Sequence, residues 1–392
     1  MRIGLYGIWG TYNFGCEAIV RGAVKFIHDI FPGSQVVYLS YSFDYDKKAL
    51  EDLDIEVVPV VERCNYVMRA VNKFMEVTGG EKRIFPFDQN KLLNGIDMIF
   101  SIGGDIYTIP VILREQETYK YYNPLVDFCE RSKKPVVVYG ASVGPWGEYQ
   151  KAVDYYKKNL SKYRAILCRE KETVRYLRNM GLKNTWFFPD PAFLLGGQKE
   201  NGGESIGVNL SPLSLKEIYG DYSDEYIERL ASLIDEINQK TGRDIVFLPH
   251  VLSKKEYDND LLFMEKVRDK MKRAKNASIA ESKSGFLGIK EAIRNCYIVI
   301  AARMHCAVNA LEENVPTIFL SYSQKSIGMC EYVYGNKDWV VKIDDAEREL
   351  ITMVLDMCDK RYDLSSFLDV QNARIKNDYG ENIEQIKKLI RA

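Results

Sequence analysis

Short apolar runs rich in β-branched and aromatic residues punctuate the chain at residues 3–8, 36–39, 98–102, 136–139 and 165–168, and again at 205–210, 245–248, 297–301 and 317–320. Near-continuous apolar segments of this length suit strands of a parallel sheet covered on both faces. Between them lie longer stretches, 17–31, 151–160, 171–180, 224–240 and 258–275, whose apolar positions recur at helical spacing. Strand–helix alternation along the whole chain predicts an α/β fold with helices layered on parallel sheets. The pattern breaks near 195–204, where Leu-Leu-Gly-Gly-Gln-Lys-Glu-Asn-Gly-Gly reads as a linker before a fresh strand. The expected organisation is therefore two Rossmann-like domains, 1–198 and 199–367. A polar helix over 368–392 follows, with Ile375, Ile383, Ile386, Leu389 and Ile390 as packing candidates, and is expected to cross back onto the first domain. Residues 62–95 show no clean period and resist placement.

Size supports the division. A chain of 392 residues exceeds what one core usually holds, and 46% hydrophobic with 28% charged residues is a globular composition. The 54 basic and 55 acidic residues leave a net charge of -1, without the basic excess that marks a nucleic-acid binder. Eight cysteines are scattered with no Cys-x-x-Cys pair, as expected of reduced thiols in a cytosolic protein. The N-terminal residues lack the regions of a signal peptide, and no run of about 18 apolar residues offers a membrane span. Three separated histidines and unclustered cysteines give no metal-ligand spacing, and neither a P-loop nor a Gly-x-Ser-x-Gly elbow occurs.

Candidate chemistry gathers where predicted strands end, the edge at which open α/β sheets bind ligands. Gly7-Ile-Trp-Gly10-Thr-Tyr-Asn13-Phe-Gly15-Cys-Glu17 follows the first strand and opens a helix. Its glycines and helix-start amides suit an anion, though a tight strand–helix turn accounts for them equally; it is not a dinucleotide fingerprint. Asp105, after Gly103-Gly104, is placed as a base or a sugar-hydroxyl acceptor, or else as a helix cap. Ser142, in Ser142-Val-Gly144-Pro145-Trp146, is a ligand contact or a capped turn. Arg169 offers a forked guanidinium to a carboxylate or phosphate, or pairs at the surface with Glu170 or Glu172. Lys325, after Ser321-Tyr-Ser323-Gln, is a compact phosphate contact or a solvated lysine.

The strongest segment is Ile298-Val-Ile-Ala-Ala-Arg303-Met304-His305-Cys306-Ala307, an apolar strand running straight into a helix. Arg303 and His305 fall in the first turn, where unpaired amides and the helix dipole favour an anion. Imidazole is the side chain best matched to proton transfer near neutral pH, and the chain has three: His28 on a predicted helix, His250 at a strand end, and His305.

Taken in order, Asn13-Phe-Gly15-Cys16-Glu17-Ala18, Gly103-Gly104-Asp105, Ser142-Val-Gly144-Pro145, Arg169-Glu170, Asp190-Pro191, Leu248-Pro249-His250, Arg303-Met304-His305-Cys306-Ala307 and Ser321-Tyr322-Ser323-Gln324-Lys325 resemble the polysaccharide pyruvyl transferase family over roughly residues 1 to 330. Cys16 stands where many members carry an acidic residue, and Met304 where many carry leucine.

The resemblance implies a GT-B-like fold with the active site in the interdomain cleft. It implies phosphoenolpyruvate as co-substrate with no further cofactor, and a pyruvate ketal formed on two hydroxyls of one sugar in cell-surface polysaccharide biosynthesis. Carried over by position, His305, Arg303 and Asp105 are the catalytic candidates; Arg169, Arg303, Met304, Lys325, Asn13, Gly15, Ser142 and His250 are the substrate-binding ones. The donor is expected on the 199–367 side and the sugar on the 1–198 side. A lipid-linked acceptor would bring the protein to the inner face of the membrane, and a homo-oligomer stays open. Two other readings share the sequence: a GT-B glycosyltransferase using a nucleotide sugar, and a non-catalytic sugar-binding or assembly protein.

Overall fold

The structure, a computed structural model, describes residues 1–60, 70, 93, 95–104, 106–108, 133–197, 203–220, 222–281, 285–321 and 324–391, without the side chains of 324 and 325. The chain divides into two compact units: Met1–Thr11, Ala23–Phe188 and Gln385–Ala392 form the first, and Tyr12–Gly22 with Pro189–Glu384 the second. Relative to a single cut at 198, Tyr12–Gly22 and the stretch from Pro189 onward belong to the second unit, and Gln385–Ala392 belongs to the first.

In unit 1, strands β1 (Arg2–Tyr6), β2 (Gln35–Ser40), β3 (Ile55–Pro59), β4 (Met98–Ser101), β5 (Val136–Ala141), β6 (Ala165–Cys168) and β7 (Thr185–Phe187) form a parallel sheet in the order β3-β2-β1-β4-β5-β6-β7. Helices α1 (Phe14–Ile30), α2 (Phe43–Ala49), α3 (Gln150–Leu160) and α4 (Lys171–Asn179) alternate with them. The core draws on Val37, Leu39, Ile99, Val138 and Ile166 on one face of the sheet, while Ile3, Leu5, Tyr38, Phe100 and Leu167 are buried on the other, as a covered sheet requires. The loops after β1 and β4 flank the point where strand order reverses. There Gly7 (φ 109°) and Gly103 lie against each other, and a Cβ on Gly103 would stand 2.2 Å from the Gly7 carbonyl oxygen. These glycines let two loops touch. The buried carboxylate of Asp46 fixes the first loop by accepting from the Thr11 amide (2.7 Å) and hydroxyl (2.8 Å).

In unit 2, β8 (Ser205–Asn209), β9 (Ile245–Phe247), β10 (Ala277–Ile279), β11 (Cys296–Ala301), β12 (Thr317–Ser321) and β13 (Val340–Lys342) form a second parallel sheet, ordered β10-β9-β8-β11-β12-β13. Counted from its own first strand this is 3-2-1-4-5-6, the Rossmann order, with the reversal between β8 and β11. Its helices are α5 (Pro212–Tyr219), α6 (Asp224–Thr241), α7 (Asp260–Lys270), α8 (Gly285–Arg294), α9 (Met304–Glu312), α10 (Gln324–Tyr334), α11 (Ala346–Asp359) and the 31-residue α12 (Arg361–Arg391). Local sequence sets their ends. Ser223 accepts from the Tyr226 amide at the start of α6, left-handed Gly242 closes that helix, and Asn259 caps α7 through the Leu262 amide.

The first half of α1 belongs to this second unit because the chain before it is sewn to the loop after β9. Asn13 bridges Val251 in antiparallel fashion, the Phe14 amide donates to the His250 carbonyl (2.9 Å), and the Leu252 amide donates to the Tyr12 carbonyl (2.9 Å). Phe14 and Ala18 then enter the unit 2 core. At the other end of the chain, Ile386 and Ile390 of α12 are buried, and Arg391 donates to the Ile30 carbonyl while lying over the Phe31 ring. Among the described residues no helix is long and apolar enough to cross a membrane.

Candidate functional site

The carboxyl edge of the unit 2 sheet, at the reversal between β8 and β11, gathers the polar residues. Strand β8 ends in Asn209, fully buried, whose carbonyl accepts from the Ala302 amide (3.0 Å) and whose Oδ1 accepts from the Arg303 amide (2.8 Å). Its Nδ2 donates to the Leu248 carbonyl (2.9 Å). One asparagine thus ties the ends of β8, β9 and β11 together and holds extended Arg303 as the residue before α9.

Arg303 turns back over this edge. Its Nε and Nη2 reach Asp260 Oδ1 at 3.2 and 2.8 Å, and Nη2 also reaches Asp258 Oδ1 at 2.8 Å. The other oxygen of Asp260 accepts from the His250 and Val251 amides, both at 3.1 Å. Burial raises the Asp260 pKa, with Arg303 opposing it; burial works against the Arg303 charge too, but the two aspartates outweigh it and raise its pKa. An anion approaching Arg303 therefore meets a guanidinium already shared by two carboxylates. Its Nη1 is the nitrogen with no hydrogen bond to a described residue.

His305 occupies the first turn of α9, with its side chain 16% exposed. Its Nε2 lies 3.5 Å from Oδ2 of Asp190, whose side chain is wholly buried. Asp190 is held from behind, because its Oδ1 accepts from the Ala192 amide (2.9 Å) and opens the turn Pro191–Leu194. That turn is pressed against α1: a Cβ on Gly22 would stand 1.9 Å from the Pro191 carbonyl oxygen. The opposite edge of the imidazole meets Gly15, where a Cβ would lie 2.6 Å from His305 Cβ and 2.9 Å from Nδ1. Two glycines of α1 thus admit the Asp190 turn and the His305 ring.

His250 is buried at the same edge, and its Nε2 is hydrogen-bonded to the Asn309 side-chain amide on α9 (3.0 Å). Burial first, then the charges of His305 and Arg303, push its pKa down to about 3, so it stays neutral. Two histidines on one edge accordingly differ in kind, one sealed in and one partly open.

The remaining sequence candidates are placed as follows. Asn13 Oδ1 accepts from the Gly15 (3.0 Å) and Cys16 (3.3 Å) amides, and the Asn13 carbonyl from the Glu17 amide (3.0 Å), so this helix start is capped from within and does not offer open amides to an anion. Met304 is half-buried against the unit 2 core. In unit 1, Arg169 is buried rather than exposed: its Nη2 donates to Ser142 Oγ (3.0 Å) and its Nε lies 3.7 Å from Glu170 Oε1. Ser142 is buried as well and donates to Glu170 Oε1 (2.8 Å). Asp105 and the side chain of Lys325 lie outside the described residues.

Within unit 2 the structure joins Asn13, Gly15, His250, Arg303 and His305 in one neighbourhood. It adds Asp190, Asn209, Asp258 and Asp260, which the sequence did not single out as site residues. The one signal for the first was the Asp190-Pro191 pair; a lone acid at a strand end carries none. Among the described residues no group of three or more His, Cys, Asp or Glu is arranged to hold a metal ion.

Comparison with known proteins places this geometry in context. The family description "Polysaccharide pyruvyl transferase" matches residues 13–324. A search of curated proteins finds no match. Among solved structures, the UDP-GlcNAc 2-epimerase of Neisseria meningitidis, bound to UDP-GlcNAc, is similar with a TM-score of 0.60 at 11% identity, covering 99% of this chain and 100% of that one. The S. aureus MnaA–UDP structure scores 0.58 at 12% identity over 100% and 98% of the two chains. Anabaena Alr3699/HepE in complex with UDP scores 0.57 at 9% identity over 99% and 97%. At such identities the likeness is one of fold, and the fold is the expected GT-B type with two Rossmann-like domains.

Proposed function

Because the chain belongs to the polysaccharide pyruvyl transferase family, we propose that it moves the pyruvyl group of phosphoenolpyruvate onto two hydroxyls of one sugar, forming a cyclic ketal during cell-surface polysaccharide biosynthesis. The observation that carries the reading is His305, a partly open imidazole in the first turn of α9 with a buried carboxylate 3.5 Å from one ring nitrogen.

Protonation of the methylene carbon of phosphoenolpyruvate takes up the electron pair of its C=C bond and leaves cationic character at the central carbon. One sugar hydroxyl adds there and gives up its proton. The second hydroxyl adds and gives up its proton as the C–O bond to phosphate breaks with its electron pair, and the ketal closes with inorganic phosphate released. His305 is the acid of the first step. The dipole at the start of α9 and the Nη1 edge of Arg303 favour the donor's negative charge. Arg303 serves chiefly to hold the edge together, since its Nη2 is already paired with Asp258 and Asp260. Asp105 as base towards the sugar, and Arg169, Ser142, Lys325 and Met304 as binding residues, remain part of the proposal.

The competing reading is a nucleotide-sugar enzyme, drawn from the ligands named in the solved neighbours, and it rests on fold alone. The two separate on incubation of the protein with phosphoenolpyruvate and a panel of free and lipid-linked glycosides. The expected result is phosphate release matched by the mass gain of one pyruvate ketal on the glycoside. Phosphoenolpyruvate at about 100 times its Kd is expected to stabilise the protein by about 2.7 kcal/mol, with UDP giving no shift. A shift with UDP and none with phosphoenolpyruvate, or no ketal on any acceptor, overturns the reading.

A further inference from the structure

We propose that Trp9 and Tyr41 form a stacking platform for the acceptor sugar, against which a pyranose lays the C–H face of its ring. The inference rests on the reading of the chain as a pyruvyl transferase and names the surface of unit 1 that takes the sugar. The two residues follow neighbouring strands: β1 ends at Tyr6 and β2 at Ser40, and these strands pair in parallel. Both residues therefore stand at the carboxyl edge of the first sheet. The Trp9 loop borders the reversal between β1 and β4, the place where open sheets of this kind bind ligands.

The chain has four tryptophans, and they differ in surroundings. Trp146 is fully buried, stacked on Tyr156 with ring centroids 4.5 Å apart, and its Nε1 donates to the Tyr107 carbonyl (2.8 Å). Trp339 is buried in the unit 2 core and Trp186 is half-buried on β7. Trp9 is 56% exposed, the most exposed large apolar side chain among the described residues of unit 1. It is nonetheless held. The Tyr41 ring backs the indole at 4.8 Å and 42°, and the Tyr41 hydroxyl is hydrogen-bonded to that of buried Tyr6 (2.8 Å). The Ser42 hydroxyl donates to the Trp9 carbonyl (2.9 Å). Asp46 ties the two loops together, accepting from the Thr11 amide and hydroxyl on one side and from the Ser40 hydroxyl (2.5 Å) on the other.

A fixed loop thus keeps an indole in water, where its apolar surface gains nothing until something covers it. A pyranose suits that face. Its ring C–H bonds carry slight positive charge and meet the negative face of the indole, while its hydroxyls stay at the rim. An anion is repelled by the same face, so the platform favours the sugar over phosphoenolpyruvate.

The test combines binding and turnover. The protein is labelled with nitrogen-15 at tryptophan and titrated, without phosphoenolpyruvate, with methyl β-galactopyranoside, methyl β-glucopyranoside and methyl β-mannopyranoside, with Trp9→Phe supplying the assignment of the Trp9 indole N–H. The expected result is a Trp9 signal that shifts to saturation with at least one glycoside, while the Trp146 signal stays in place. In turnover, Trp9→Ala is expected to raise KM for that glycoside by about 10-fold. Its kcat and its KM for phosphoenolpyruvate are expected to change little, the signature of lost binding to the sugar alone. Trp9→Phe keeps a ring and is expected to show a smaller rise. Tyr362→Ala, which removes a 71% exposed aromatic from unit 2, is expected to show none. Melting of Trp9→Ala is expected to match the wild type, because the side chain is largely in solvent. A Trp9 signal that answers no glycoside, or that answers only rising protein concentration or phosphatidylglycerol vesicles, overturns the inference. So does ketal formation by Trp9→Ala at the wild-type KM, which leaves the pyruvyl transferase reading standing. A saturable Trp9 shift in a protein that forms no ketal supports the platform and overturns the functional reading instead.

Discussion

Arg303 and His250 show how much of this edge is built from groups that cannot tolerate loss of a partner. Arg303→Ala would leave Asp260, buried and bonded to two amides, without its counter-charge. Breaking a buried pair from one side typically costs about 3–5 kcal/mol, so denaturant unfolding of Arg303→Ala is expected to show a loss of that size. Arg303→Ala/Asp260→Asn is expected to recover part of it. Activity loss in Arg303→Ala alone is thus no proof of donor contact. His250 makes a prediction in pH. Its folded-state pKa is lowered to about 3 from the ordinary 6.5. Above 6.5 both states hold it neutral and it contributes no slope; below that, the unfolded chain binds a proton that the folded one refuses. Stability should therefore fall as pH drops from 6.5 towards 3, with His250 contributing up to about 1.4 kcal/mol per pH unit. Urea unfolding of His250→Asn across this range is expected to give a shallower decline, and an unchanged slope would remove His250 as the cause.

At the scale of elements, α1 has the larger share of the consequences. Periodicity alone started it at 17, whereas it begins at Phe14, because Asn13 caps it through two amides and Gly15 reads as a loop residue until His305 is beside it. Gly22 lies mid-helix, where alanine is ordinarily stabilising by about 1 kcal/mol. Here Gly22→Ala is expected to destabilise by about 1–3 kcal/mol, because a Cβ 1.9 Å from the Pro191 carbonyl must push α1 off the Asp190 turn. Thermal unfolding gives the sign: stabilisation would mean that the turn moves freely. The strands that the apolar pattern did not reveal are the outer ones, β3, β7, β10 and β13. The strand β10 has three residues, none of them fully buried, too few for a period and too exposed for an apolar run.

For the whole molecule, the last eight residues provide a test. Gln385–Ala392 cluster with unit 1 and bury Ile386 and Ile390, while Arg391 places a cation at the carboxyl end of α1. Burying an isoleucine stabilises by about 1.5–3 kcal/mol, so a chain ending at Glu384 is expected to lose roughly 3–6 kcal/mol. A truncated chain that melts at the wild-type temperature would show the segment to be dispensable.

What the sequence alone determined about this protein is the α/β class, the two-fold repetition of strand–helix alternation, and the strand-to-helix junction bearing Arg303 and His305. Those follow from local periodicity and from residue types that few positions tolerate. The tertiary structure alone decided the partners. Asp190 reaches His305 across 115 positions of chain, and Asp258 and Asp260 claim Arg303 from another strand's loop. Asn13, Gly15 and Gly22, read from their neighbours as turn or helix residues, serve a unit whose strands begin at Ser205. Periodicity reports which face of an element is apolar; it carries no record of which distant carboxylate folding brings to a charge.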